Sequence, residues 1–310
     1  MDAVGQPCVL VYDVGGSHIS AAVCFAGDYR LGPVVRAPHP EQHSSQAFVD
    51  LLHTLGLRAA SGIQGVSGAG LAMPGPFDYA SGISYMRHKL PYLYGFDLRA
   101  ALAGRFGWPP QSVRFLNDAA AFLLGEVGAG AARGIDRAVG ITLGTGIGSA
   151  FASAGQILTA GHGVPPGGEI WNLPYEGGIV EDLLSTRALL QSYRQRTGLT
   201  REVIDIAQAA PADPDAAAVF SQFGDSLGRA LRVLLADFAP QVVVLGGGIS
   251  RSSHLFLPAA RLALRDLPLE LRVSTLGENA ALVGAAVAWF AASSAASAQA
   301  APAHTSAPLP

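Results

Sequence analysis

Three glycine-rich turns, each at the end of an apolar run, constrain this chain more than any other feature. They are DVGGS at 13–17, LGTGIGS at 143–149 and LGGGIS at 245–250. A turn without Cβ atoms lets backbone N–H groups converge on a phosphate, and neighbouring serine and threonine hydroxyls add donors. Any one of them reads at least as readily as a tight turn without a ligand. Three in one chain point to a nucleotide. The sequence has neither GxxxxGK[ST] nor a strand-linked GxGxxG followed by an acidic residue. The P-loop and the dinucleotide turn therefore lack their signatures, and a hairpin-based phosphate clamp is left.

Half of the 310 residues are hydrophobic, 14% are charged, and there are 38 glycines and 20 prolines. That balance is too apolar for disorder and too rich in glycine for a helical bundle, so it predicts a globular α/β protein. The length exceeds what one compact core usually fills and predicts two lobes with a ligand cleft. A formal net charge of -3 offers no electrostatic footprint for nucleic acid or an anionic membrane. No apolar stretch reaches the roughly 18 to 20 residues of a membrane span. The first ten residues lack a basic start and an apolar core, so the expected compartment is cytoplasmic. Cys8 and Cys24 lie in strand-like apolar runs, where buried reduced thiols are expected.

Apolar patterning predicts strands at 9–11 and 19–25 around the first glycine turn, and at 138–143 and 149–153 around the second. Shifting the sequence by 129 places Gly15 on Gly144 and Ser20-Ala21 on Ser149-Ala150, as expected of a duplicated unit. Further strands are predicted at 66–72, 113–116 and 242–245. Helical spacing covers 44–59, 98–106, 119–127, 179–196, 216–239 and 280–292. The resulting expectation is a small lobe over 1–117 and a larger one over 118–292, with helix 280–292 packing back on the first. After Ser293 the chain turns to Ala, Ser and Pro, which predicts a disordered tail over 293–310.

Asp13 precedes the first pair of glycines and is placed to hold Mg²⁺ directly or through water, since that hard cation prefers carboxylate and phosphate oxygens. An Asp satisfying its own turn amides is the competing reading. Asn117-Asp118 ends a strand and opens a helix, so helix capping and chemistry are both open there.

Taken together, DVGGS, GLAMPGPFD (70–78), LNDAAAFLLGE (116–126), LGTGIGS, GGEIWN (167–172) and LGGGIS resemble the ROK sugar kinases in order and spacing across residues 9–290. The resemblance implies an α/β, two-lobed actin-like ATPase fold, the one shared by actin, hexokinase and Hsp70. It implies ATP on the glycine hairpins with Mg²⁺, a hexose or amino sugar between the lobes, and phosphoryl transfer usually to the 6-hydroxyl. Asp118 then resembles the catalytic base, and Asn117, Glu169 and Glu181 resemble sugar ligands. Gly15, Gly16, Ser17, Gly144, Thr145, Gly146, Gly246, Gly247 and Gly248 fall on the nucleotide side. A homodimer is what the family implies.

The chain also departs from the pattern. Many ROK proteins run from GEIGH into CxCGxxGC and hold a structural zinc there, whereas this chain reads GEIWNLPYEGGIVEDLLS, with no cysteine or histidine. Four N/S ligands are needed, so no zinc is expected. Asn172 stands where that histidine touches sugar and is the candidate replacement. Trp171 and Tyr175 read either as sugar-stacking rings or as packing anchors. His18 and His162 read as solvated loop histidines rather than ligands. Three alternatives frame the kinase reading. A ROK-type repressor would need a basic helix-turn-helix before Asp13, and none is visible. A non-catalytic sugar sensor would not need Asp13, Gly15, Gly16 and Asp118 together. The third is an actin-like ATPase hydrolysing ATP for conformational work, which Asn117, Glu169 and Glu181 disfavour. Within the kinase reading, a glucokinase that uses polyphosphate in place of ATP is the further alternative.

Overall fold

In the computed structural model, which describes residues 5–41 and 43–300, the chain divides into two compact units. The first takes residues up to Leu116 and those from Ala285 onward, and the second is Asn117–Gly284.

Unit 1 is built on β1 (Cys8–Val14), β2 (His18–Phe25), β3 (Val35–Pro38), β4 (Val66–Met73) and β7 (Val113–Asn117), in the order β3-β2-β1-β4-β7. A short pair, β5 (Phe77–Asp78) and β6 (Ile83–Ser84), lies between β4 and β7 in sequence. Strands β1 and β2 form the predicted hairpin, and β4 joins β1 in parallel. Such a connection needs a crossover, which α1 (Ser45–Ala59) supplies. Its N-terminus is capped by Ser44 Oγ, which accepts from Ala47 N–H at 3.1 Å. Phe48, Val49, Leu52 and Leu55 of α1 join Leu10, Tyr12, Leu71 and Leu102 of α2 (Leu98–Phe106) in one buried core.

Unit 2 repeats the plan. Its sheet runs β10-β9-β8-β13-β14, from β8 (Arg137–Leu143), β9 (Ile147–Ser153), β10 (Gln156–Leu158), β13 (Val242–Gly246) and β14 (Glu270–Val273). Again the first two strands form an antiparallel hairpin and the next central strand joins in parallel. The shift of 129 carries β1 onto 137–143, the span of β8. It carries β2 onto 147–154, over the span of β9, but the pairing within the two hairpins differs. In the first hairpin Val14 pairs with Ile19, in the second Leu143 pairs with Ile147, so the second turn is one residue shorter. Ser149 therefore corresponds to Ala21, and the Ser-Ala match expected from sequence is out of register by one.

The remaining elements of unit 2 are α3 (Asp118–Ala129), the small hairpin β11 (Pro174–Tyr175) and β12 (Gly178–Ile179), α4 (Val180–Leu183), α5 (Thr186–Thr197), α6 (Val203–Ala209), α7 (Pro214–Leu234) and α8 (Ser253–Leu264). The single helix expected over 179–196 is split. Ser185 begins a new helix by accepting from Ala188 N–H, and Thr186 N–H is drawn to Gly144 O at 2.8 Å.

The last helix, α9 (Ala280–Ala300), runs from one unit into the other. Within unit 2, a Cβ on Gly284 or Gly125 would overlap the carbonyl of Ala121 or Ala280, so α3 and α9 cross with no room for a methyl group. Within unit 1, Trp289 Nε1 donates to Ser112 O at 2.8 Å. Residues 293–300, expected to be disordered, continue this helix because alanine is the best helix former. The rest of the expected tail lies outside the described residues. Among those described, no helix is long and apolar enough to cross a membrane.

Candidate active site

The parallel pairing of β13 with β8 sets Gly246 beside Thr142, so the second and third glycine turns leave the same edge of one sheet. Their glycines serve different ends. A Cβ on Gly246 would overlap the Phe122 ring, and one on Gly247, at φ 82°, would overlap the Leu143 backbone. Those two are demanded by packing. Gly248 has nothing within 4 Å of a Cβ position, and Gly144 only Gly146 O at 4.0 Å. These two open a cradle of bare backbone that a side chain would fill, which fits a bound phosphate chain. In unit 1, Gly16 is likewise open and exposed, next to exposed Ser17. The turn there is fixed by Gly15 N–H donating to His18 O at 3.0 Å and by His39 Nε2 on Gly15 O at 2.8 Å. Half-buried Asp13 sits on β1 opposite Ser20, one residue before the turn closes.

Helix α3 starts beside the second turn, where a Cβ on Gly148 would lie 3.3 Å from Ala119 Cβ. Its N-cap is Asn117, whose Oδ1 accepts from Ala119 N–H at 2.9 Å and Ala120 N–H at 3.1 Å. Asp118 is the first helical residue, and its Oδ1 also accepts from Ala119 N–H at 2.9 Å. The two readings left open in sequence thus separate: Asn117 caps, and Asp118 need not.

Glu181 reaches the tip of the same turn from α4. Its Oε2 accepts from Ile147 N–H at 3.3 Å, and the carboxylate occupies the space a Cβ on Gly146 would need. Gly146 is therefore glycine for the sake of Glu181. Glu169 lies on the loop after β10, turned by Gly167 and Gly168 at φ 70° and 72°. Buried Ser149 pins that loop from both sides, donating to Gly168 O at 2.6 Å and accepting from Ile170 N–H at 3.0 Å. Beyond it, Trp171 Nε1 donates to Glu169 Oε2 at 2.9 Å, and Trp171 O accepts from Glu181 N–H at 3.0 Å. Asn172 is exposed one residue further on. Within unit 2 the structure so brings the first turn of α3 and the Glu181 carboxylate to the 144–148 turn, and links Glu169 to Glu181 through Trp171.

The aromatic pair divides. Tyr175 packs against the unit 2 core, where burial pushes its phenol up, whereas Trp171 is 39% exposed. His18 and His162 are exposed, as expected of loop histidines. Sequence reasoning missed Ser149, His39, the Trp171 donor and Glu126. The last lies inside the quoted LNDAAAFLLGE run, but only its partners reveal its use. Its buried carboxylate accepts from Ala131 N–H at 2.6 Å, Leu276 N–H at 3.2 Å, Thr275 N–H and Oγ1 each at 3.4 Å, and the Ser274 hydroxyl.

The sequence profile of the ROK family matches residues 9–292. The chain belongs to the ROK family. A glucokinase of Thermotoga maritima is 29% identical to this ROK chain over 305 residues, covering 88% of it and 94% of the relative. An N-acetyl-D-glucosamine kinase of Pectobacterium carotovorum subsp. carotovorum is 27% identical over 308 residues, covering 89% and 97%. A ROK family glucokinase from Streptomyces griseus, solved in complex with glucose and AMPPNP, is similar at a TM-score of 0.71 and 25% identity, over 91% of the ROK chain and 98% of that one. The α/β fold is the actin-like ATPase fold of these kinases.

Proposed function

We propose that this ROK-type sugar kinase transfers the γ-phosphoryl group of ATP to the 6-hydroxyl of a hexose or N-acetylhexosamine, with Asp118 as general base. What supports the reading is that two elements reach the second glycine turn: α3, which Asp118 opens, through Ala119 against Gly148, and α4 through Glu181, whose carboxylate meets Ile147 N–H. A primary alcohol attacks phosphorus poorly unless a carboxylate accepts its proton and aims its lone pair. Asp118 supplies that carboxylate, and the Ala119 amide on its Oδ1 fixes the carboxylate plane. Asn117, Glu169, Asn172 and Glu181 bind sugar hydroxyls. Gly144, Thr145, Gly146 and the 246–248 turn hold the phosphates in unit 2, and Asp13, Gly15, Gly16 and Ser17 do so in unit 1. Asp13 would hold Mg²⁺ directly or through water, and the ion would supply charge neutralisation at the phosphate oxygens.

Two relatives of this chain are named for glucose and N-acetylglucosamine phosphorylation, which sets the first sugars to test. Purified protein with ATP and Mg²⁺ is assayed for ADP release against glucose, N-acetylglucosamine, mannose, fructose and N-acetylmannosamine, with product position read by NMR. A sugar 6-phosphate formed stoichiometrically with ADP is expected. Tight sugar binding without ADP release identifies a sensor instead, and turnover with polyphosphate alone identifies that donor.

A further inference from the structure

Resting on the kinase reading above, we propose that Trp171 is the positioning residue for Glu169: its indole N–H fixes the carboxylate so that one chosen oxygen faces the sugar. Ser149 already holds the loop backbone on either side of Glu169. The side chain itself is exposed and has three rotatable bonds, freedom that would be lost on every binding event. An indole N–H is a donor only. Placed 2.9 Å from Oε2, it removes that freedom in advance and leaves Oε1 as the acceptor for a sugar hydroxyl.

The backbone of the same residue ties the loop to the second acidic group, because Trp171 O accepts from Glu181 N–H at 3.0 Å. One residue thus sets the placement of both candidate sugar carboxylates, by its side chain for Glu169 and by its main chain for Glu181. A packing anchor would be covered by the core, as partly buried Tyr175 is. Trp171 instead keeps 39% of its surface exposed while its polar edge meets an exposed carboxylate.

Trp171→Phe keeps the ring and deletes the donor. A hydrogen bond to a charged group is strong enough that the sugar KM is expected to rise about tenfold, with kcat and the ATP KM changing by less than about threefold. The melting temperature should hold, which separates positioning from folding. In a Glu169→Ala background, adding Trp171→Phe should raise the sugar KM no further. An unchanged sugar KM in the single variant overturns the proposal, as does an equal rise in the Glu169→Ala background, which would place the indole on the sugar itself. The bond is also read without any sugar. In ¹H–¹⁵N spectra the Trp171 indole resonance, assigned by its loss in Trp171→Phe, should move upfield in Glu169→Ala; a resonance that stays in place refutes the bond. If no sugar is phosphorylated the kinase reading fails, and the indole shift still decides the Trp171–Glu169 bond.

Discussion

Asn117 and Asp118 are adjacent, acidic or amidic, and at the head of one helix, yet the proposed function gives them different work. Asn117 satisfies two orphan amides of α3. Asn117→Ala should therefore cost about 1 kcal/mol of stability, the usual worth of an N-cap, seen as a lower melting temperature. Asp118→Asn keeps size and the Ala119 contact but removes the ability to take a proton. Its kcat should fall by at least roughly 10²-fold, the low end for a general base, while the melting temperature and sugar affinity by calorimetry change little. Near wild-type turnover in that variant would falsify the assignment of the base. The pair was legible in the sequence as a unit, from the strand before it and the alanine-rich helix after it. Which of the two caps was not legible, because that depends on backbone angles at residue 117.

Elements built on the glycine turns were the most readable, because a turn without side chains between two apolar runs leaves few alternatives to a hairpin. The misses share a cause: each is decided by a partner far along the chain. The break at Ser185 is fixed by Gly144, and the role of Glu126 by residues 274–276. The helix over 293–300 is the converse case, where local alanine propensity prevailed over the lack of large apolar residues. Glu126 joins α3 to the connection between β14 and α9: its own carboxylate is fully buried, while its partners are partly buried and Thr275 is exposed. Glu126→Ala removes the shared acceptor of partly buried donors from residues 131 and 274–276 and empties a buried site, so it should cost about 2 kcal/mol, or roughly 4 to 8 °C in a unit of this size. A calorimetric scan in which that variant melts like wild type would show the network to be dispensable.

At the scale of the whole molecule, two expectations concern metal and thiols. Among the described residues no group of three His, Cys, Asp or Glu side chains could hold a metal. Elemental analysis should find no stoichiometric zinc, and EDTA should leave the melting temperature unchanged; one zinc per chain, stripped together with stability, would refute this. Cys8 and Cys24 are both fully buried and unpaired, and burial pushes the Cys24 thiol up to about 12 and raises that of Cys8. Since the thiolate is the nucleophile, neither should react with a disulfide reagent at pH 8 until the protein unfolds. Rapid labelling of the native chain would contradict the burial. The path of the chain carries a last consequence. Unit 1 opens the sequence but is finished by α9, whose Ala285 carbonyl lies 2.7 Å from a Cβ position on Gly70 and whose Trp289 meets Ser112. Between Leu116 and Ala285 the ribosome must deliver an entire second unit, roughly ten to thirty seconds of synthesis at ordinary rates. For that interval the surface that will receive α9 is exposed on the nascent chain, a window in which a chaperone has something to hold.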